Sequence, residues 1–341
     1  MSMKSHPHQR RRANLRGGCA AKLPGSELYD LLDAAFRRVF PAERLPPFVI
    51  SPQDSAILDA GDTMLLVTTD IGPLVGDDPL VGGRIAAGNA FSDIWARGGA
   101  PRWALVTLVL DGAGGHDSGE ATLAGVLGAC RDEGVEVVGG HTMVGSELLV
   151  GLAIIGSVAP GCLLGKTGGT PGARLFLSKP LGAGLVLRAH AVGAASDTAL
   201  QEAIEVMLKS NAGASRLAVS VRAQAATDVS GFGLLGHLAE MLDERCGAQL
   251  RVADVPVLES VHGLRPGVVR ASSLQANLDY ARDRTVVRGD TDVLAIGSLL
   301  GAETNGGLLI AANESDSQLL SSGGYACIGG LTDVPGIVVE R

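Results

Sequence analysis

The spacing of apolar residues changes repeatedly along the chain. Ser26-Glu27-Leu28-Tyr29-Asp30-Leu31-Leu32 opens a capped run with helical spacing, which predicts an amphipathic helix over 26–40. After the break at Pro46-Pro47, Ser51-Pro52-Gln53-Asp54-Ser55-Ala56-Ile57-Leu58 sets an acid just ahead of a short apolar run. Met64-Leu65-Leu66-Val67-Thr68-Thr69-Asp70 predicts a strand ending on an aspartate, and ligands gather at strand ends in open sheets. Residues 82–97 predict a helix of small and apolar residues, with Asn89 and Asp93 four apart on one face. That helix is too apolar for a solvated face, although Arg84 and Arg97 lie near and an exposed stripe is the plainer alternative. The turn Gly98-Gly99 leads to a strand over 103–110, a helix over 118–133 and a strand over Val135–Val138. Gly139-Gly140-His141-Thr142 then reads as a turn, either ordinary or with free backbone N–H groups facing an anion, and a strand over 147–158 follows.

Gly165-Lys166-Thr167-Gly168-Gly169-Thr170-Pro171-Gly172 reads as a linker. Its Gly-Lys-Thr string is not a P-loop: Pro160 stands where the first glycine belongs, and no clear helix follows. The second half continues with a strand over 173–178 and helices near 183–191, 199–209 and 212–222. It then reaches Thr227-Asp228-Val229-Ser230-Gly231-Phe232-Gly233-Leu234-Leu235-Gly236-His237-Leu238, a carboxylate at a strand-to-helix turn before an apolar helix. Asp228 there suits a hard metal ion, but Asp228 or Ser230 could equally cap the helix. Glu303-Thr304-Asn305-Gly306-Gly307-Leu308-Leu309-Ile310 is a glycine turn feeding a strand. Alternating strands and helices predict an α/β (α+β) chain with an arm at 1–24 and domains at 25–160 and 161–341.

Composition narrows the class. With 341 residues, 46% hydrophobic and only 3% aromatic, the core must be built of Ala, Val, Leu and Ile. The 48 glycines are dispersed as pairs, which suggests tight turns and close backbone approaches. No apolar run is long enough for a membrane span. A net charge of −8 gives no support for nucleic-acid binding. The five cysteines, Cys19, Cys130, Cys162, Cys246 and Cys327, are scattered and form no CxxC pair, which argues against a disulfide framework or a zinc site and for a reducing cytoplasm. The arm holds Lys4, Arg10, Arg11, Arg12, Arg16 and Lys22 with no acid and no apolar secretory core, so it reads as a solvated basic tail. Within it, Gly17-Gly18-Cys19-Ala20-Ala21-Lys22 places a thiol three residues from a cation that can lower its pKa.

Asp54, Asp70, Asp93 and Asp228 share a setting beside small residues, at element ends or on an apolar face. Scattered carboxylates with glycine turns and no P-loop suggest a nucleotide–magnesium site. Here Asp54-Ser-Ala, Thr68-Thr69-Asp70, Gly83 through Ile94, Gly139-Gly140-His141, Leu177-Ser178-Lys179-Pro180-Leu181-Gly182 and the stretch from Thr227 to His237 together resemble selenophosphate synthetase (selenide, water dikinase). The resemblance covers nearly the whole chain in order. It implies the two-domain fold of aminoimidazole ribonucleotide synthetase and its relatives, with the N-terminal half contributing to a homodimer interface. It implies conversion of ATP, selenide and water to selenophosphate, AMP and phosphate, with possible downstream selenium-using enzymes as partners. By position, Asp54, Asp93 and Asp228 resemble the magnesium ligands. Asp70, Asp93, Gly139, Gly140, His141, Thr142 and Lys22 resemble nucleotide-site residues. Cys19 and Lys22 resemble the catalytic pair of a mobile loop.

The departures are specific. Ala20 and Ala21 replace a glycine and a cysteine of the family's loop. Gly301-Ala302-Glu303-Thr304-Asn305-Gly306-Gly307 stands where the family has Asp-Pro-Gln-Thr-Ser-Gly-Gly, and Ala271-Ser272-Ser273 replaces a Gly-Gly-Thr turn. They leave two other readings open: a related ATP-dependent ligase or kinase, and a non-catalytic nucleotide-binding paralogue.

Overall fold

The computed structural model describes residues 25–40, 53–61, 63–112, 116–265, 267, 272–289 and 292–341. Cys19, Lys22 and the rest of the 1–24 arm lie outside the described residues, as does Ala271. Helix α1 spans Gly25–Val39.

The N-terminal half is a sheet of β1 (Ala56–Asp59), β2 (Met64–Pro73), β3 (Ala100–Asp111), β4 (Glu136–Gly145) and β5 (Leu149–Val158), in the order β1-β2-β5-β3-β4. All neighbours are antiparallel except β3 and β4. That parallel pair needs a crossover, which α3 (His116–Glu133) supplies. Strand alternation sends Ala104, Val106 and Leu108 of β3, and Val150, Leu152 and Ile154 of β5, into one core under α2 (Pro79–Ala96). Ile71, Trp103, Leu105 and Met143 are exposed in this sheet and leave its other face open and apolar.

Two local expectations change. Asp70 is not at a strand end, because β2 runs on to Pro73. Gly139-Gly140-His141-Thr142 is not a turn but the middle of β4, in register with Leu105-Val106-Thr107-Leu108 of β3. A Cβ on Gly140 would run into the carbonyl oxygen of Val106, so close strand approach accounts for that glycine.

The C-terminal half is a seven-stranded sheet in the order β7-β10-β6-β11-β8-β12-β9. Its strands are β6 (Arg174–Leu177), β7 (Ala225–Asp228), β8 (Gly247–Arg251), β9 (Thr285–Arg288), β10 (Leu308–Ala312), β11 (Ala326–Thr332) and β12 (Gly336–Glu340). Helices α4 (Ala183–Ala191), α5 (Asp197–Leu208), α6 (Ala212–Ser220), α7 (Gly233–Met241), α8 (Ser272–Arg282), α9 (Val293–Leu300) and α10 (Ser317–Ser322) accompany it. Leu175, Leu177 and Leu309 join one buried cluster, and Phe176, Leu308 and Ile310 join another, so both faces of β6 and β10 are covered.

Helix α2 belongs to both halves. Phe91 and Ile94 pack on the first sheet, Ile85 enters the main C-terminal core, and Ala96 enters the second. A helix apolar on every side is a buried helix, which explains its composition. Phe91 is fully buried and meets Trp95 edge-on, with ring centroids 5.7 Å apart. Truncating such a ring costs ~3–5 kcal/mol.

Candidate functional site

Asp54 sits in the bend just ahead of β1 and is turned inward. Its Oδ1 accepts from Lys166 Nζ at 2.7 Å and from Thr227 Oγ1, on β7, at 3.0 Å. Lys166 Nζ also lies 2.8 Å from Glu240 Oε2 on α7. The linker that carries Lys166 is fixed by a bond from Ala226 N to Gly165 O. Burial opposes the ammonium, but Asp54 and Glu240 outweigh it and hold its pKa above the usual lysine range. Glu240 Oε1 accepts from Tyr280, and His237 Nδ1 lies 3.6 Å from Oε2. Asp54 Oδ2 is buried and has no hydrogen-bond partner among the described residues.

Asp70 and Asp93 form two rungs between β2 and α2. Thr68 and Asp70 point to the same face of the strand; Asn89 and Asp93 stand one turn apart on the helix. Thr68 Oγ1 donates to Asp93 Oδ2 at 2.5 Å, and Asn89 Nδ2 donates to Asp70 Oδ2. Asn89 Oδ1 in turn accepts from the backbone N of Asn305 at 2.7 Å. The apolar helix thus spends its few polar groups on its neighbours, which resolves the choice left open for Asn89 and Asp93 against an exposed stripe.

Asp228 ends β7 and is buried. It does not cap α7, whose N-cap is Phe232 with no side-chain bond. Ser230 does not cap it either, since its hydroxyl meets His237 Nε2 at 3.3 Å. Asp228 lies opposite Leu308 in the ladder, close to the Gly306-Gly307 turn. Nearby, Lys179 Nζ donates to the carbonyls of Lys209 and Asn305 at 2.6 and 2.7 Å. Burial pushes the Lys179 amine down to about 7, against the pull of Asp228 and Glu303. Glu303 accepts from the backbone N of Gly182 at 2.7 Å and of Ala183 at 3.1 Å, capping α4. Burial pushes its carboxyl up to about 8 despite those N–H groups.

Asp54 therefore meets the Asp228 strand through Thr227, and Asp70 meets the 301–307 turn through Asn89, while Asp93 is held from β2 by Thr68. The Gly139–Thr142 segment does not join them. Asp70, Leu152, Val106 and Gly140 form one cross-strand row, so Gly140 lies three strand spacings from Asp70, about 14 Å. The pleat sends His141 to the open face with Ile71, opposite Asp70. A cavity of about 510 Å³, lined by Trp95, Arg102, Cys162 and Arg216 among others, includes none of these aspartates.

Among the described residues, no three His, Cys, Asp or Glu side chains are grouped to hold a metal. The donor chemistry of Asp54, Asp93 and Asp228 nonetheless fits a hard cation, since every donor is a carboxylate oxygen and Asp54 Oδ2 is buried and unbonded. The sequence pattern did not single out Lys166, Lys179, Glu303 or Asn305 as site residues. Lys166 appeared only in a failed P-loop string. Glu303 and Asn305 appeared in a glycine turn and as departures, yet they tie the turn to α4, α5 and α2.

The match to known families follows this layout. Residues 52–158 match the model for AIR synthase related protein, N-terminal domain, and residues 170–335 match the C-terminal domain model. A selenide, water dikinase of Geobacter sp. (strain M21) is 36% identical over 332 residues, covering 92% of each chain. The chain belongs to the selenide, water dikinase family. Its fold is that of the thiamine monophosphate kinase of Aquifex aeolicus, with TM-score 0.64 at 19% identity over 92% of this chain and 98% of that one. The hydrogenase maturation protein HypE in complex with ATP is similar too, with TM-score 0.60 at 19% identity over 90% of this chain and 86% of the other.

Proposed function

We propose that this protein is a selenophosphate synthetase, converting ATP, selenide and water to selenophosphate, AMP and phosphate. The 36% identity to a selenide, water dikinase across 92% of both chains carries this reading. The ATP complex of the similarly folded HypE supports ATP as the nucleotide. Asp70 and Asp93 belong to the nucleotide site, and Asp54, Asp93 and Asp228 would hold magnesium. Magnesium usually takes one or two carboxylates together with phosphates and waters, so a closed carboxylate cage is not required beforehand. Bound there, the metal would neutralise phosphate charge.

Cys19 is the soft ligand for selenium, and Lys22 stabilises its thiolate or a phosphate. Ala20 and Ala21 leave Cys19 as the loop's one thiol. The open apolar face of the first sheet is the homodimer interface in this reading. Pairing there brings the Gly139–Thr142 segment of one copy to the nucleotide of the other, which the separation of about 14 Å within one copy favours. Among the described residues no helix is long and apolar enough to cross a membrane; the scattered thiols suit a reducing cytoplasm.

The test is an anaerobic reaction with ATP and selenide, following AMP by chromatography and the phosphorus–selenium product by ³¹P NMR. AMP formation depends on selenide, and Cys19→Ala and Asp228→Asn abolish it. ATP consumption indifferent to selenide would sink the activity. Full turnover by either variant would sink that residue's role.

A further inference from the structure

The pocket around Asp54 is charge-balanced without a metal. It holds two carboxylates, Asp54 and Glu240, and two cations, Lys166 and Arg97. Side-chain exposure is 2% for Asp54, 4% for Lys166 and 5% for Glu240, so solvent screens none of them. Arg97 is buried as well, feels the Asp54 charge, and has no hydrogen-bond partner for Nε or Nη1 among the described residues. A divalent cation taken up by the unbonded Asp54 Oδ2 would stand beside the Lys166 ammonium on Oδ1 of the same carboxylate, and two cations that close in a buried site repel. Something must yield.

Lys166 is the group built to yield. Its Nζ already touches a second carboxylate, Glu240, so it can leave Asp54 without becoming an unpaired buried charge. Its ammonium is a compact charge on a flexible stem, unlike the rigid fork of Arg97. The linker itself stays fixed by the bond from Ala226 N to Gly165 O, so only the lysine stem has to swing. We infer that Lys166 is an internal counter-cation: it holds Asp54 in the metal-free protein, yields Asp54 to an incoming divalent cation, and withdraws to Glu240. Lys166 and Glu240 are then positioning residues that set the metal affinity from opposite directions. This rests on the reading of Asp54 as a metal ligand.

The test is a titration of the nucleotide-free full chain with Mn²⁺, read by electron paramagnetic resonance of the free ion. Lys166→Gln removes the competitor and tightens binding at least tenfold. Glu240→Gln removes the retreat, keeps Lys166 on Asp54 and weakens binding at least threefold. Lys166→Arg keeps the charge on a rigid fork that yields less readily, so it does not tighten binding as Lys166→Gln does, a difference that follows the charge and not the loss of the lysine stem. Melting temperature with and without Mn²⁺ gives a second readout, and the Lys166→Gln protein gains more from the ion than wild type does. Equal or weaker binding by Lys166→Gln, or a shift of Glu240→Gln in the same direction, overturns the inference. Asp54→Asn separates the two levels: if it binds Mn²⁺ as wild type does, the assignment of Asp54 as a ligand fails. If it loses binding while Lys166→Gln is unchanged, only the counter-cation role fails.

Discussion

Two pockets, one where the halves meet at Asp54 and one within the C-terminal half, bury a lysine and a carboxylate to nearly the same depth, and they treat those charges in opposite ways. Around Asp54, Lys166 Nζ lies 2.7 and 2.8 Å from two carboxylates. Beside Asp228, Lys179 donates only to carbonyls and Glu303 accepts from backbone N–H groups. The first lysine is held above its usual range, whereas the second falls to about 7 and Glu303 rises to about 8. Burial alone therefore does not decide a charge state here. A touching opposite charge keeps the Lys166 ammonium charged, and backbone dipoles at similar depth do not make up for lost water.

The largest effect should come from breaking the touching pair. Lys166→Met leaves Asp54 and Glu240 without their shared cation. Removing one partner of a buried pair costs ~3–5 kcal/mol, because the remaining charge has nothing to offset its desolvation. Denaturant unfolding in the presence of a chelator measures this directly. A loss below about 1 kcal/mol, the range of exposed pairs, would mean that the pocket is wet and the contrast with Lys179 unfounded.

The second pocket should reveal itself through pH. Glu303 ordinarily titrates at 4.5 and is raised to about 8, so between those values the folded protein holds a proton that the unfolded chain has lost. Its contribution to stability is full below 4.5 and is lost as pH rises to 8. Lys179 ordinarily titrates at 10.5 and is lowered to about 7, so between those values the unfolded chain holds the extra proton and stability rises with pH. Together they place a stability minimum between about pH 7 and 8, with limiting slopes of about 1.4 kcal/mol per pH unit on either side. Glu303→Gln should be less stable than wild type near pH 5, because one N–H of α4 loses its acceptor, and wild type should lose that lead and fall below the variant before pH 8, since only its curve carries the Glu303 slope. Lys179→Met should fall further behind wild type as pH climbs above 7. Melting temperatures across this range check both, and parallel curves would show that neither group is held neutral.

Much of the layout was legible from residue order. Strands β2 to β6 and β10, α2 and the β7–α7 turn follow from the sequence pattern, whereas β8, β9, β11 and β12 do not; Asp54, Asp70, Asp93 and Asp228 stood out by their settings and by the resemblance. What was not legible depended on contacts between distant segments. Lys166 meets Asp54 across a sequence separation of 112 residues, and no local pattern announces such a pair. Asn305 looked like a weakened motif, but its backbone N bonds Asn89 and its side chain reaches Met207 O. Gly139-Gly140 resembled a turn because paired glycines usually are one. The need for glycine there lies in β3, which sequence pattern cannot see.

The smallest change tests how the two halves share Asp54. Thr227 Oγ1 gives Asp54 its contact from β7, at 3.0 Å, on the same Oδ1 that Lys166 occupies. Thr227→Val keeps the shape of the side chain and removes only the donor. Hydrogen bonds to charged groups contribute about 1.5–3 kcal/mol, and the ammonium remaining on the same oxygen should place the loss at the lower end. The Lys166→Met and Thr227→Val effects should not add, since both act through one carboxylate. A double-mutant cycle by denaturant unfolding reads that coupling. Strict additivity would mean that the hydroxyl and the ammonium act on Asp54 independently, and that the strand carrying Asp228 has no hold on how Lys166 grips it.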